Sequence, residues 1–379
     1  MAAAASFASP FGPDLTFPQF PSYSPTTQRS ISFIDQSYRP PVTQEFSMNL
    51  QTQMKNDYLL EVAYVGARGT HQILNRSLNQ ALFASASNPV RGITTNTTAN
   101  IAQRVPILGF TAPGLNDIDS TASSWYHGLE VSLTKRLSKG LQFLAAYTWS
   151  HAYSTSGRST AAGGTSGITG DQNNKLANYG RSEFNREHRL VLSFLYQLPS
   201  PDKSKAFLNR ALGGWAVAGV TTFQSGLPLT FTGTNATNYA GITSDRAQLA
   251  PGCSHSDLTI NGSVDSKLGG YFNRACILRN AAGTAIWPVV GNDGVATGFG
   301  NSGVGIVFGP DQRNFDLSII KQTRLRERLN LEFRAEFFNA FNTTQFGNPG
   351  ANVSAATFGV ISSTAVNPRI GQLALKLNF

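Results

Sequence analysis

The sequence predicts an all-β fold in which antiparallel strands of about ten residues cross a membrane as part of a barrel. Apolar and polar residues alternate with a period of two in nine segments spread along the 379 residues, as in strands with one lipid face and one aqueous face. Short turns and long connections alternate strictly between these segments. Only 13% of the residues are charged, about half of the roughly 25% usual in soluble domains. No apolar run approaches the roughly 18 residues that a spanning helix needs.

The first segment shows the alternation clearly. Between residues 45 and 54, Phe46, Met48 and Leu50 fall on one face and the intervening polar side chains fall on the other. A strand with this pattern has one face that suits an apolar environment and one that suits water. The other eight segments are 58–65, 129–134, 141–150, 189–198, 215–223, 315–321, 329–341 and 369–379.

The connections between the segments are of two kinds. The short ones are 55–57, 138–140, 199–213 and 324–328, and the long ones are 67–124, 154–187, 228–313 and 342–368. Short turns on one side and long loops on the other are typical of the periplasmic and extracellular ends of a bacterial outer-membrane barrel. We therefore expect residues 1–41 to be an extracellular loop or irregular start, and residues 42–379 to cross the outer membrane nine times.

The last segment closes on an aromatic residue, with Leu373, Leu375, Leu377 and Phe379 on one face. Outer-membrane barrels commonly end in such a strand, so Phe379 is the expected signal for the barrel-assembly machinery. Nine crossings are an odd number, whereas bacterial single-chain barrels have an even number of strands. Either the sequence contains a further strand without clear alternation, or the chain is a piece of a larger barrel.

Four charged residues fall on the polar faces of their segments. They are Glu130, Glu332, Arg334 and Glu336. We expect these side chains to face the barrel lumen, where they would either bind a plug and guide a solute or form a salt-bridged wall. We favour the salt-bridged wall, because accessible ion pairs contribute little energy and do not by themselves indicate a binding role.

Several aromatic residues fall near the expected outer ends of strands. They are Trp125, Tyr147, Trp149, Phe337 and Phe341. Amphipathic rings settle at the level of the lipid headgroups, so these positions predict an aromatic girdle. A sugar-binding platform is the alternative.

The two cysteines, Cys253 and Cys276, lie 23 positions apart in a stretch rich in glycine and asparagine. They form either a loop disulfide, as an oxidising compartment allows, or two unpaired thiols. A zinc site is not expected, because no CxxC pair is present and His255 is the one histidine nearby.

The sequence gives no support to catalysis, cofactor binding or nucleic-acid binding. The net charge is +9, but the basic residues are scattered singly rather than in blocks. Gly298, Gly300 and Gly303 spell GxGxxG, yet no strand-to-helix pattern surrounds them, so a flexible loop is expected there. The five histidines fall in separate segments without an HExxH or GxSxG motif. No catalytic, cofactor-binding or metal-ligating residue is expected, and the protein is not expected to be an enzyme.

Six motifs follow one another along nearly the whole chain from about Tyr38. They are LEVAYVGARGTH at 60–71, SWYHGLEVSLTKRLSKGL at 124–141, AAYTWSHAYS at 145–154, NREHRLVLSFLYQLP at 185–199, FGPDQRNFDLSIIK at 308–321 and RAEFFNAFN at 334–342. In order and spacing they resemble the Oar-like TonB-dependent transporters. The resemblance implies a 22-stranded barrel of which this chain supplies the last nine strands.

The resemblance also implies a function and partners. A whole protein of this kind takes up a solute when the TonB complex acts on its plug, and it has a carboxypeptidase-regulatory-like N-terminal domain. The expected partners are therefore outer-membrane lipid, the N-terminal part of the barrel, the plug and, through them, the TonB complex. This chain departs from the family in showing no plug, TonB-contacting box, regulatory-like domain or signal sequence, and by itself it is not expected to transport.

Two other interpretations remain. A surface or adhesion barrel would use the same strands and long loops without transport. A secreted β-sandwich would also show alternation, but it would need polar residues on its outer faces, where this sequence places aromatic and aliphatic residues.

Overall fold

The computed structural model describes residues 29–379 except for 56, 157–165, 201–210, 236–238, 243, 288–297 and 327–328. Most of the expected irregular start, most of the turn 199–213 and parts of the turns 55–57 and 324–328 therefore lie outside the described residues. In the part of the chain that is described, no helix is both long and apolar enough to cross a membrane.

In the part of the chain that the structure describes, nine long strands form one antiparallel sheet, and each of them pairs with its neighbours in sequence. They are β1 (Val42–Met54), β2 (Tyr58–Ser77), β3 (Phe110–Ser138), β4 (Leu141–Ser154), β5 (His188–Gln197), β6 (Trp215–Gln224), β7 (Gln312–Arg326), β8 (Leu329–Phe338) and β9 (Ile370–Asn378). The nine antiparallel strands expected from the alternation are confirmed. Over the described residues the sheet is open, with β1 and β9 at its edges.

The connection between β3 and β4 shows why the short turns are tight. Lys139 and Gly140 have φ values of 51° and 79°, and two successive positive φ values suit the two-residue turn of a hairpin. A Cβ atom on Gly140 would lie 2.6 Å from the backbone oxygen of Gln197. Glycine is therefore required there by backbone conformation and by space.

The long connection expected at 67–124 is wrong in part, because β2 continues to Ser77 and β3 begins at Phe110. The two extensions pair with each other beyond the rest of the sheet. The apolar alternation is lost there because the two extensions also pack against the connection that follows β4. Asp119, for example, is buried and binds Arg76 at 3.1 Å and Lys175 at 2.7 Å. A short strand, Arg29–Ile34, runs parallel to the same part of β3.

The long connections after β6 and β8 fold together into a packed body, which we call the cap (225–311 and 339–369). Its buried core contains Phe231, Phe272 and Phe358, whose ring centroids lie 4.6 to 5.7 Å apart. Cys253 and Cys276 form a disulfide beside this core. The loops are thus held by a hydrophobic core of their own.

The glycine-rich stretch at 298–303 is a loop, as expected, and it packs against other segments of this cap. The backbone N–H of Gly300 donates to Asp245 at 2.8 Å. A Cβ atom on Gly300 would lie 1.8 Å from the backbone oxygen of Arg246. The glycine allows a close approach of two backbones, which is unrelated to nucleotide binding.

Candidate transmembrane surface and loop cavity

One face of the sheet is mainly apolar, and its apolar row extends from β1 to β6 before it meets Arg313 on β7. Directly paired residues share a face, and one row of them runs through Leu50, Val62, Val131, Tyr147, Leu190 and Phe223. Large side chains on this face are exposed, for example Met48 at 76% and Leu373 at 73%. Contiguous exposure of this extent marks an interaction surface rather than the outside of a soluble domain.

The opposite face is polar. A neighbouring row runs through Asn49, Ala63, Glu130, Thr148, Arg189, Gln224 and Gln312. The register of the strands is well specified, because a shift by one residue would exchange the two faces along a whole strand.

Three of the four expected lumen charges lie together on the polar face of β8. Nε of Arg334 lies 2.7 Å from a carboxylate oxygen of Glu332, and Nη1 lies 3.8 Å from Glu336. The side-chain amide of Gln322 on β7 donates to Glu332 at 3.2 Å. Glu130 lies on the same face but on β3, with β4 to β7 between it and this group. The arrangement on β8 is a chain of ion pairs.

The expected girdle residues lie toward the long-loop end of the sheet, except Tyr147, which lies at the middle of β4 and pairs with Val131. Trp125, Tyr147, Trp149 and Phe337 are on the apolar face by register. Phe341 follows the end of β8 and contacts Phe315, with ring centroids 5.1 Å apart.

Two histidines, His127 and His188, lie among these aromatic residues, and their role was not predicted from the sequence. The hydroxyl of Tyr64 lies 2.7 Å from Nδ1 of His127, and that of Tyr147 lies 2.8 Å from Nδ1 of His188. In both pairs the two rings are stacked with centroids 6.2 Å apart. The signal was available, because His127 is two residues from Leu129 and therefore shares its face.

A cavity of about 560 Å³ lies between the long connections. It is lined by residues from three of them: Thr169, Asn178, Glu183, Phe184, Leu227, Pro228, Leu229, Thr230, Thr232, Arg246, Val304, Asn348, Ala351 and Asn352. Arg246 and Asn178 are its buried polar residues, 4% and 1% exposed. Neither stood out in the sequence, because they are 68 positions apart and belong to no local motif.

Burial controls the electrostatics around Arg246. It lowers the pKa of Arg246 below its usual value, against the opposing effect of the carboxylates of Asp245 and Asp171. Burial also raises the pKa of Asp245, although that carboxylate accepts hydrogen bonds from Asn235 and Gly300. Over the described residues, no group of three or more histidine, cysteine or acidic side chains could hold a metal ion.

Comparison with protein families identifies this arrangement of strands and faces. The family described as "Outer membrane beta barrel domain" matches residues 2–372. The chain belongs to this family. No curated protein matches the chain.

Solved structures of outer-membrane proteins resemble this outer membrane beta-barrel domain. The transporter YddB from Escherichia coli is 11% identical, with a TM-score of 0.46, and the match covers 93% of this chain and 34% of YddB. The pyoverdine receptor FpvA from Pseudomonas aeruginosa PAO1, bound to pyoverdine, is 12% identical with a TM-score of 0.40, covering 93% of this chain and 32% of FpvA. The chain spans about a third of the length of these structures.

Membership of the outer membrane beta-barrel family determines the surroundings of the sheet. The protein lies in the bacterial outer membrane, and its strands are the membrane-crossing elements. The apolar face of the sheet contacts lipid. Because outer-membrane barrels have short periplasmic turns and long extracellular loops, the cap and its cavity lie outside the cell.

Proposed function

We propose that residues 42–379 form part of the barrel of a TonB-dependent transporter of the Oar-like kind, which takes up a solute with energy supplied through TonB. The observation that carries the proposal is the direction of the two edge strands. The described residues form nine long antiparallel strands, so β1 and β9 run the same way across the membrane. Joining them directly would create a parallel seam, whereas bacterial single-chain outer-membrane barrels pair antiparallel throughout. On this proposal, an odd number of further strands lies between these two edges.

Thirteen further strands would satisfy this condition and complete a barrel of 22, the size of plugged outer-membrane transporters. The six motifs of the sequence support the same size, since they resemble the Oar-like group in order and spacing. The remaining strands and the plug belong to a part of the transporter outside this chain. Contact with TonB would be made through that part.

Residue roles follow from this proposal. Glu130, Glu332, Arg334 and Glu336 face the lumen, and the ion pairs of β8 favour a structural wall over a solute path. Trp125, Trp149, Phe337 and Phe341 form the outer aromatic girdle, and Tyr147 lies deeper on the same lipid face. The barrel-assembly machinery recognises the last strand, whose terminal Phe379 is 98% exposed. Transport requires binding and gating, with no covalent step.

A growth experiment tests the transport role. A strain lacking the gene, a strain lacking TonB and the wild type would be grown on a panel of sole iron and carbon sources. We expect the gene deletion to abolish growth on at least one source that the TonB deletion also cannot use, with recovery when the gene is restored. Normal growth on every TonB-dependent source, together with loss of attachment to surfaces, would instead indicate an adhesion barrel.

A further inference from the structure

The loop cavity presents hydrogen-bond donors that the protein does not use. Nη1 of Arg246 donates to the backbone oxygen of Thr169 and to Oδ1 of Asn178, both at 3.2 Å. Among the described residues, Nε and Nη2 of Arg246 have no hydrogen-bond partner, and no carboxylate lies within 4 Å of its guanidinium. Nδ2 of Asn178 is buried and likewise has no partner in this part of the chain. Unpaired buried donors cost free energy unless a ligand satisfies them.

These donors select the chemistry of a ligand. The free Nε and Nη2 of the guanidinium form one edge that matches a carboxylate, which accepts two parallel hydrogen bonds. Among the described residues of the lining, Arg246 is the one cationic side chain, which matches a ligand with one carboxylate. Thr230, Asn348 and Asn352 supply polar groups that suit hydroxyls.

The cavity also has the size and the mixed walls of a small-molecule site. Its volume of about 560 Å³ lies within the roughly 300–1,000 Å³ typical of such sites. Phe184, Leu229 and Val304 provide apolar wall beside the polar groups, as sugar rings require. We propose that the cavity binds a sugar acid, or a short saccharide with a single carboxylate, through Arg246 and Asn178. This inference rests on the proposed function, since it names the class of solute that the transporter first captures.

A binding comparison between two sugars of similar size tests the proposal. Outer-membrane vesicles from cells that produce the protein would be dialysed against radiolabelled glucuronate or glucose, with vesicles from a deletion strain as background. Because a charge-assisted hydrogen bond is about twice as strong as a neutral one, we expect glucuronate to bind at least about tenfold more tightly than glucose. Equal binding of both sugars, or binding of neither, would overturn the proposal.

Asn178→Asp is the decisive variant because it places a carboxylate beside Arg246 without changing the shape of the side chain. We expect it to weaken glucuronate binding at least about tenfold and to leave glucose binding unchanged. Asn88→Asp makes the same chemical change at an exposed loop position outside the cavity lining, and it should bind both sugars like the wild type. Unchanged glucuronate binding by Asn178→Asp would overturn the assignment.

Phe184→Ala is a second variant, and it should not disturb folding because the Phe184 side chain is 63% exposed. Removal of this wall should weaken the binding of both sugars by a similar factor, and no effect on either would count against the cavity. The two proposals fail separately. TonB-linked growth without glucuronate binding refutes the cavity assignment alone, whereas glucuronate binding without TonB-linked growth refutes the transport role alone.

Discussion

Val131→Arg is expected to lower the free energy of unfolding in lipid by about 2–4 kcal/mol, the cost of an arginine near the midplane of a barrel's lipid face. Val131 lies on the apolar face of β3 between Val62 and Tyr147. An arginine there must hold its charge in hydrocarbon or distort the bilayer to reach water. The loss is measured by urea titration of the protein in lipid vesicles, followed by tryptophan fluorescence.

Ser132→Arg provides a matched control, because it places the same side chain one residue further on the same strand. Ser132 lies on the polar face, opposite Glu61 on β2 and Ala146 on β4. A charge there is solvated, and the nearby Glu61 has the opposite sign. We expect a change within about 0.5 kcal/mol, as for ordinary surface substitutions. Equal losses for the two variants would show that the two faces have been assigned wrongly.

Phe231→Ala is expected to destabilise the cap by about 3–5 kcal/mol, the usual cost of truncating a buried phenylalanine. The ring is fully buried, and its centroid lies 4.6 Å from that of Phe272 and 5.0 Å from that of Phe358. Hydrogen exchange measures the effect locally, since amides of the cap should open at a lower free energy while those of β3 and β4 keep theirs.

Phe184→Ala is the control for this second experiment, because it removes the same ring from an exposed position. Its cap amides should exchange within about 0.5 kcal/mol of the wild type. If Phe231→Ala left the exchange of the cap amides unchanged, the extracellular connections would not share a hydrophobic core.

The nine strands could be predicted from sequence because membrane strands carry their pattern locally. In β1, Phe46, Met48 and Leu50 identify the lipid face without reference to any other strand. The cap could not be predicted in this way. Its core joins Phe231, Phe272 and Phe358, which are up to 127 positions apart and follow no common period, so nothing local marks them as partners.

The candidate sites also differ in whether a local sequence pattern predicts them. Glu332, Arg334 and Glu336 are spaced by two, so alternation alone places them on one face of a strand and within reach of one another. Arg246 and Asn178 come together only because two long connections fold against each other. The tyrosine–histidine pairs could be predicted only in part. The alternation of side chains along β3 gives the face of His127, but its pairing with Tyr64 depends on the register between β2 and β3.

Circular dichroism of residues 1–379, recorded in plain buffer and again after transfer into detergent or lipid, tests the membrane-crossing role of the sheet most directly. We expect a β-rich spectrum only with detergent or lipid, and aggregation in buffer, because the apolar face and the open edges β1 and β9 have no cover in water. A stable, soluble, β-rich monomer in plain buffer would contradict the account and favour a β-sandwich.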